Sequence, residues 1–140
     1  MKDNLIVVGG PVANIVTQEL NPHLPVRFDW ESSWRLRSTV TGASYAEEEV
    51  GLVAKVRNPN NKERWVVILA GVHTLGTLAS ILAVTDQARK VLGEYRGGEF
   101  TAVVRGLDRD GDGRVDDVEA LERVQPRLQR PREGLAASPL

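Results

Sequence analysis

From Asp108 to Glu119 the chain reads "DRDGDGRVDDVE", and no other stretch limits the fold so tightly. Six carboxylates in these twelve positions, set against Arg109 and Arg114, leave a local charge of −4 in a chain whose formal net charge is −1. Carboxylates this close repel one another at neutral pH, and burying them unpaired costs far more than a fold can return. The segment therefore has to lie at the surface, as a turn whose charge is met by a cation or by water.

Its spacing favours the cation. Counted from Asp108, carboxylates fall at positions one, three, five and nine and a glutamate at twelve, so that alternate side chains converge on one point. Gly113 at position six permits a sharp turn, Val115 stands at eight, Arg114 offers its backbone carbonyl, and Glu119 can bind with both oxygens. The pattern resembles the calcium loop of EF-hands and of dockerin modules over the whole loop. Asp108, Asp110, Asp112, Arg114, Asp116 and Glu119 are the expected ligands. Calcium fits better than magnesium, which keeps its waters and demands a tight octahedral shell. A solvated acidic turn that binds nothing is the alternative.

How the chain leaves the loop decides what an ion can do there. A sensor needs flanking helices that swing open, usually in a paired unit. The preceding "FTAVVRGL" is β-branched, and only one such loop is present. A structural ion is therefore expected, bound at about 10⁻⁴ to 10⁻³ M as in extracellular modules. The residues alone leave open whether "VEALERV" continues as helix or strand.

The chain fits one globular domain over 1–125 that includes the loop at 108–119, with 126–140 as a flexible tail that is rich in proline and poor in apolar residues. The near-zero net charge gives no reason to expect nucleic acid. No apolar run reaches the length of a membrane span, so insertion into a membrane is not expected. The absence of cysteine removes disulfides, thiolate metal sites and a thiol nucleophile.

"NLIVVGG" is a continuous apolar run closed by two glycines, as in a strand buried on both faces. "PVANIVTQEL" predicts a helix with Pro11 in its first turn and Val12, Ile15, Val16 and Leu20 on one stripe. "VRFDW" can form a short strand within an irregular region. The two branched runs that flank "NPNNKE" predict an antiparallel hairpin from Val50 to Gly71. "HTLGTLASILAVTDQARKVLGEY" predicts one helix buried nearly all round at first, through Leu75, Leu78, Ala79 and Leu82, turning amphipathic at Gln87 to Lys90 and stopping at Gly93. Strand, glycine turn and helix, repeated, indicate an α/β fold: a Rossmann-like sandwich on a mixed sheet that contains one antiparallel hairpin, with the calcium loop C-terminal.

In such a fold the helix starts after "VVGG" and after "LAGV" open on one sheet edge. Gly9, Gly10, Asn14, His73, Thr74 and Thr77 then line a crevice for a nucleotide or other small molecule. Pro11 weakens this reading by removing an amide N–H, and no phosphate-binding glycine motif is present. Close strand–helix packing at the glycines and a cap at His73 and Thr74 explain the same residues. Trp30 and Trp34 either close one end of the core or form an aromatic contact surface. Glu47, Glu48 and Glu49 read as a solvated loop, and His23 as an exposed turn residue. Arg123, Arg127, Arg130 and Arg132 are too few to suggest nucleic-acid binding.

"NLIVVGGPVAN", the helix after "VILAG" and the final acidic loop together resemble segments of archaeal surface-layer proteins. That resemblance implies an α/β surface or assembly module with bound calcium. The function expected is a non-catalytic, calcium-binding structural or protein-interaction module of an extracellular or cell-surface assembly. A protein partner or self-assembly would complete it. A small Rossmann-like enzyme using the Gly9, Gly10 and His73 crevice is the alternative, and a cytoplasmic location is expected if the chain is complete as given.

Overall fold

A computed structural model describes residues 3–30, 34–93, 95 and 97–125. The expected tail, 126–140, lies outside them. Among the described residues, eight strands, three short helices and one 3-10 turn follow in the order β1 (Leu5–Val8), α1 (Ile15–Leu20), the turn Asn21–His23, β2 (Val26–Trp30), β3 (Trp34–Ser38), β4 (Ser44–Tyr45), β5 (Val50–Asn58), β6 (Asn61–Gly71), α2 (Thr74–Val84), α3 (Ala88–Leu92), β7 (Phe100–Leu107) and β8 (Asp117–Val124).

Five strands form one mixed sheet in the order β1-β6-β5-β7-β8. β1 runs parallel to β6, with Leu5 beside Val66 and Val8 beside Leu69. The remaining pairs are antiparallel, and β5 with β6 makes the expected hairpin, Leu52 facing Ala70 and Val56 facing Val66. β2, β3 and β4 form a separate antiparallel sheet.

The Rossmann-like sandwich is overturned. Among the described residues 44% are in strands and 21% in helices, and one face of the large sheet is covered by a second sheet. The reason lies in the crossover from β1 to β6. A doubly wound fold covers its sheet with a long helix at that point, but α1 has only six residues, capped by Asn14, whose side chain accepts the Val16 N–H at 2.9 Å. Pro11 and Val12 precede the helix, and Val12 and Ile15 are exposed, so the apolar stripe is shorter than the sequence suggested. The chain then spends residues 26–45 on β2 to β4. Val26, Phe28 and Leu36 from that sheet, with Leu20 and Leu24, pack on Leu52, Ala54, Val66, Ile68, Ala70 and Val103 of the large sheet.

The opposite face carries the helices. Val53, Leu69, Ala102, Val104 and Val118 pack against Ala79 and Ala83 of α2 and Val91 of α3. Side chains in the middle of β5 and β7 alternate between these two cores, which is why residues 52–54 and 102–104 are apolar at every position. α2 sits unusually close to the strands. A Cβ on Gly76 would stand 1.9 Å from the Val50 carbonyl oxygen, and one on Gly51 2.1 Å from the Gly76 oxygen. Its buried side is made of Gly76, Ala79, Ser80 and Ala83, while Leu78 is half exposed, so the helix turns its small residues inward rather than its leucines. It ends at Thr85, and α3 is a separate short helix stopped by Gly93 at φ 53°.

Candidate metal centre

The acidic segment joins two antiparallel strands. β7 ends at Leu107, β8 begins at Asp117, and the Asp116 N–H donates to the Leu107 carbonyl at 2.9 Å, closing the loop. The exit left open by the sequence is therefore a strand. Gly111 and Gly113 take left-handed conformations, at φ 76° and 86°, that a side chain would strain.

Inside the loop the carboxylates organise the backbone. Asp108 Oδ2 accepts the Gly113 N–H at 2.6 Å, and its Oδ1 accepts those of Gly111 at 2.9 Å and Asp112 at 3.1 Å. Asp112 Oδ1 accepts the Arg114 N–H at 2.8 Å, and Asp116 accepts the N–H groups of Arg109 at 3.0 Å and Asp110 at 3.3 Å. Each carboxylate aims inward because these short-range bonds leave it few other rotamers. One oxygen from each of Asp108, Asp110, Asp112 and Asp116 consequently lies within 4.8 Å of all the others, and all four residues are exposed.

The electrostatics divide within this group. Desolvation raises the Asp108 carboxyl, but the hydrogen bonds from Gly113, Asp110, Asp112 and Gly111 outweigh it and hold its pKa below the usual carboxylate value. Asp110 moves the other way: the Asp112 N–H favours its charged form, yet desolvation and the neighbouring Asp108, Asp112 and Asp116 carboxyls push its pKa up. Four converging oxygens of this kind can hold a hard divalent cation, whose charge would relieve the repulsion that raises Asp110.

Two acidic residues of the segment stand elsewhere. Glu119, at position twelve, is two residues into β8, opposite Arg105 on β7, and its Oε2 meets Arg105 Nη1 at 3.2 Å. A helix leaving the loop would fold position twelve back over the ion, whereas an extended strand, at ~3.3 Å per residue, carries it away. Asp117 lies between Arg109, which donates to its Oδ2, and Lys90 of α3, whose Nζ is 2.6 Å from its Oδ1. The hydrogen bonds from Arg109 and then Lys90 hold its carboxyl well below the ordinary range. Arg114 is exposed. Val115 is half buried against Gly106 and the α2 core, tying the loop to the body of the protein. The roles of Lys90 and Arg105 carried no sequence signal, since each meets the segment only through tertiary packing; the doubled acid at Asp116 and Asp117 was the one visible hint.

The crevice residues are used differently. β1 and β6 are parallel neighbours, as the crevice required, and Gly10 comes near Gly71. The groups there satisfy one another, however: the Gly9 N–H donates to Leu69 O at 2.9 Å, Thr17 Oγ1 to Gly9 O at 2.8 Å, and Asn14 caps α1. At the α2 start, His73 and Thr74 are exposed, His73 gives no side-chain cap, and the Thr77 N–H donates to the His73 carbonyl at 3.1 Å, packed over Gly71. The glycines serve close packing of backbone on backbone.

Trp34 stacks on Phe28 with ring centroids 5.6 Å apart and closes that end of the core, whereas Trp30 is 65% exposed. Glu47 is exposed but pairs with Arg105 Nη2 at 3.2 Å. His23 is exposed on its turn. No helix among the described residues is long and apolar enough to cross a membrane.

A scan against protein-family models and searches of curated proteins and of solved structures find no match to this chain.

Proposed function

We propose that the β7–β8 loop is a calcium site and that the protein is a non-catalytic, calcium-stabilised structural or protein-interaction module. The observation that carries this reading is the convergence of Asp108, Asp110, Asp112 and Asp116, whose oxygens lie within 4.8 Å of one another in an exposed loop. Carboxylate oxygens suit calcium's large and adaptable shell, and water completes it at the exposed side.

Strand on both sides of the loop favours a structural ion over a signalling one. A signal requires two arrangements with different affinity for the ion. Here the loop caps a hairpin in the main sheet, closed by the Asp116 to Leu107 bond and anchored by Val115, so binding would tighten one arrangement. A site of this kind is filled where calcium is plentiful, which, with the surface-layer resemblance of "NLIVVGGPVAN" and the acidic loop, supports placing the module in an extracellular or cell-surface assembly with a protein partner or copies of itself.

Calcium titrated calorimetrically into chelator-treated protein, with thermal melting alongside, tests the proposal. The expected dissociation constant is about 10⁻⁴ M or weaker, with a melting temperature that climbs as calcium is added. Absence of heat and an unchanged melting temperature at millimolar calcium would return the loop to a solvated acidic turn. Micromolar binding with a change in shape would replace the structural role by a signalling one.

A further inference from the structure

At the end of the large sheet remote from the acidic loop, the two layers part. β5 runs on past the start of β7, and the turn Asn21–His23 with the chain leading into β2 stands off from it, leaving a cleft of about 320 Å³. Leu20, Leu24 and Val56 supply apolar surface, and Thr101 adds a buried hydroxyl-bearing side chain. A smaller recess of about 110 Å³ adjoins it, sharing Leu20, His23 and Pro59. Protein interiors seldom leave a space of this size beside aliphatic side chains that could have closed on it. Clefts of several hundred Å³ with an apolar lining and a few fixed polar groups are the usual form of a small-molecule site.

The polar groups are divided by wall. Arg27 and His23 belong to the wall around Leu24: Arg27 Nε and Nη2 both donate to the Leu24 carbonyl, at 3.1 and 2.9 Å, which fixes the guanidinium and leaves Nη1 without a hydrogen bond to the described residues. Glu99 belongs to the sheet wall, where its Oε2 accepts the Arg57 backbone N–H at 3.3 Å and its Oε1 remains available. Arg57 also borders the cleft, but its guanidinium lies over the Trp65 ring at 3.9 Å and donates to Lys62 O, so it is already engaged. A cation from β2 and a carboxylate from the chain entering β7 thus both border the cleft, beside apolar side chains, and match a molecule that carries both charges and an apolar substituent.

We infer that this cleft binds a compact zwitterion of the α-amino-acid type, with its carboxylate on Arg27, its ammonium on Glu99 and its apolar side chain against Leu20, Leu24 and Val56. A ligand of one charge would leave the other of these two groups unanswered, and a charged hydrogen bond lost in such a site typically costs about tenfold or more in affinity.

L-phenylalanine, 3-phenylpropanoate, which lacks the ammonium, and phenethylamine, which lacks the carboxylate, are the probes. Each is titrated into the full chain and followed through backbone amide resonances. The expected result is that phenylalanine binds about tenfold more tightly than either analogue, with the shifts centred on Leu24, Arg27 and Thr101. Arg27→Gln should abolish the preference of phenylalanine over phenethylamine but keep that over phenylpropanoate, and Glu99→Gln should do the reverse. Both glutamines can keep a backbone contact of the residue they replace, and unchanged amide spectra outside the cleft establish that each variant folds. Equal binding of the three probes, binding by none, shifts centred elsewhere, or variants that discriminate like the parent would each overturn the assignment.

Discussion

The charge of the loop is concentrated in single residues whose roles differ although their chemistry is the same. Asp116 is held inside the carboxylate group by two backbone N–H donors, and Glu119 is held outside it by Arg105. Asp116→Ala should therefore remove calcium binding, and Glu119→Ala should leave the affinity within about twofold, since a side chain that does not reach the ion contributes only a distant charge. Calorimetric titration of the two variants separates a loop that ends at position nine from one that needs position twelve; loss of binding in Glu119→Ala would show that β8 rearranges when the ion arrives. A second contrast lies in the glycines. Gly76 cannot take a Cβ without meeting the Val50 oxygen at 1.9 Å, whereas Gly42, at φ 81°, has open space around it. Gly76→Ala forces α2 off the sheet and should cost about 3 kcal/mol or more, and Gly42→Ala only about 1 to 2 kcal/mol from its left-handed backbone. Urea denaturation of both variants measures the difference.

Between elements, the joint that matters most is carried by one carboxylate. Glu122 on β8 accepts hydrogen bonds from Ser38 Oγ at 2.5 Å, Thr41 Oγ1 at 3.2 Å and Tyr45 OH at 2.7 Å, and so pins the β3–β4 end of the small sheet to the edge of the large one. Glu122→Ala leaves these hydroxyls without their acceptor and should destabilise the fold by about 2 to 3 kcal/mol, while a conservative Glu122→Gln retains part of the contact. The same joint has an alkaline limit. Burial first, then the hydrogen bond to Glu122 and its charge, push the Tyr45 pKa up to about 12 from an ordinary 10.0. Its folded value lies above its unfolded one, so the stability from this group is complete below pH 10 and is lost as pH rises towards 12. Tyr45→Phe should flatten that part of the stability profile, and spectroscopic titration of the phenolate in the folded protein should show one late-titrating tyrosine. None of this was legible in the sequence, because Ser38, Thr41 and Tyr45 meet Glu122 across some eighty residues and read separately as turn and loop residues.

For the molecule as a whole, the legible parts were those with local cause. The β5–β6 hairpin follows from two branched runs around Asn and Pro turn residues, and the surface position of residues 108–119 follows from charge repulsion alone. The convergence of the carboxylates was expected from their spacing; the strand after Asp116 was not, because "VEALERV" has no period that separates helix from strand. The architecture failed for a related reason. "VRFDW" and "WRLRS" alternate core-facing Val26, Phe28, Trp34 and Leu36 with charged residues, but prolines and a broken turn region masked that alternation, and the sheet they form took the place of the expected crossover helix. The parallel seam between β1 and β6 has a further implication for how the protein is made. Leu5 finds its neighbour Val66 only after about sixty more residues have been synthesised, which at ~5–20 residues per second takes several seconds. Throughout that interval β1 has no partner strand to join and Val7 no core to enter, so this strand is where premature association with other chains has the longest opportunity to occur.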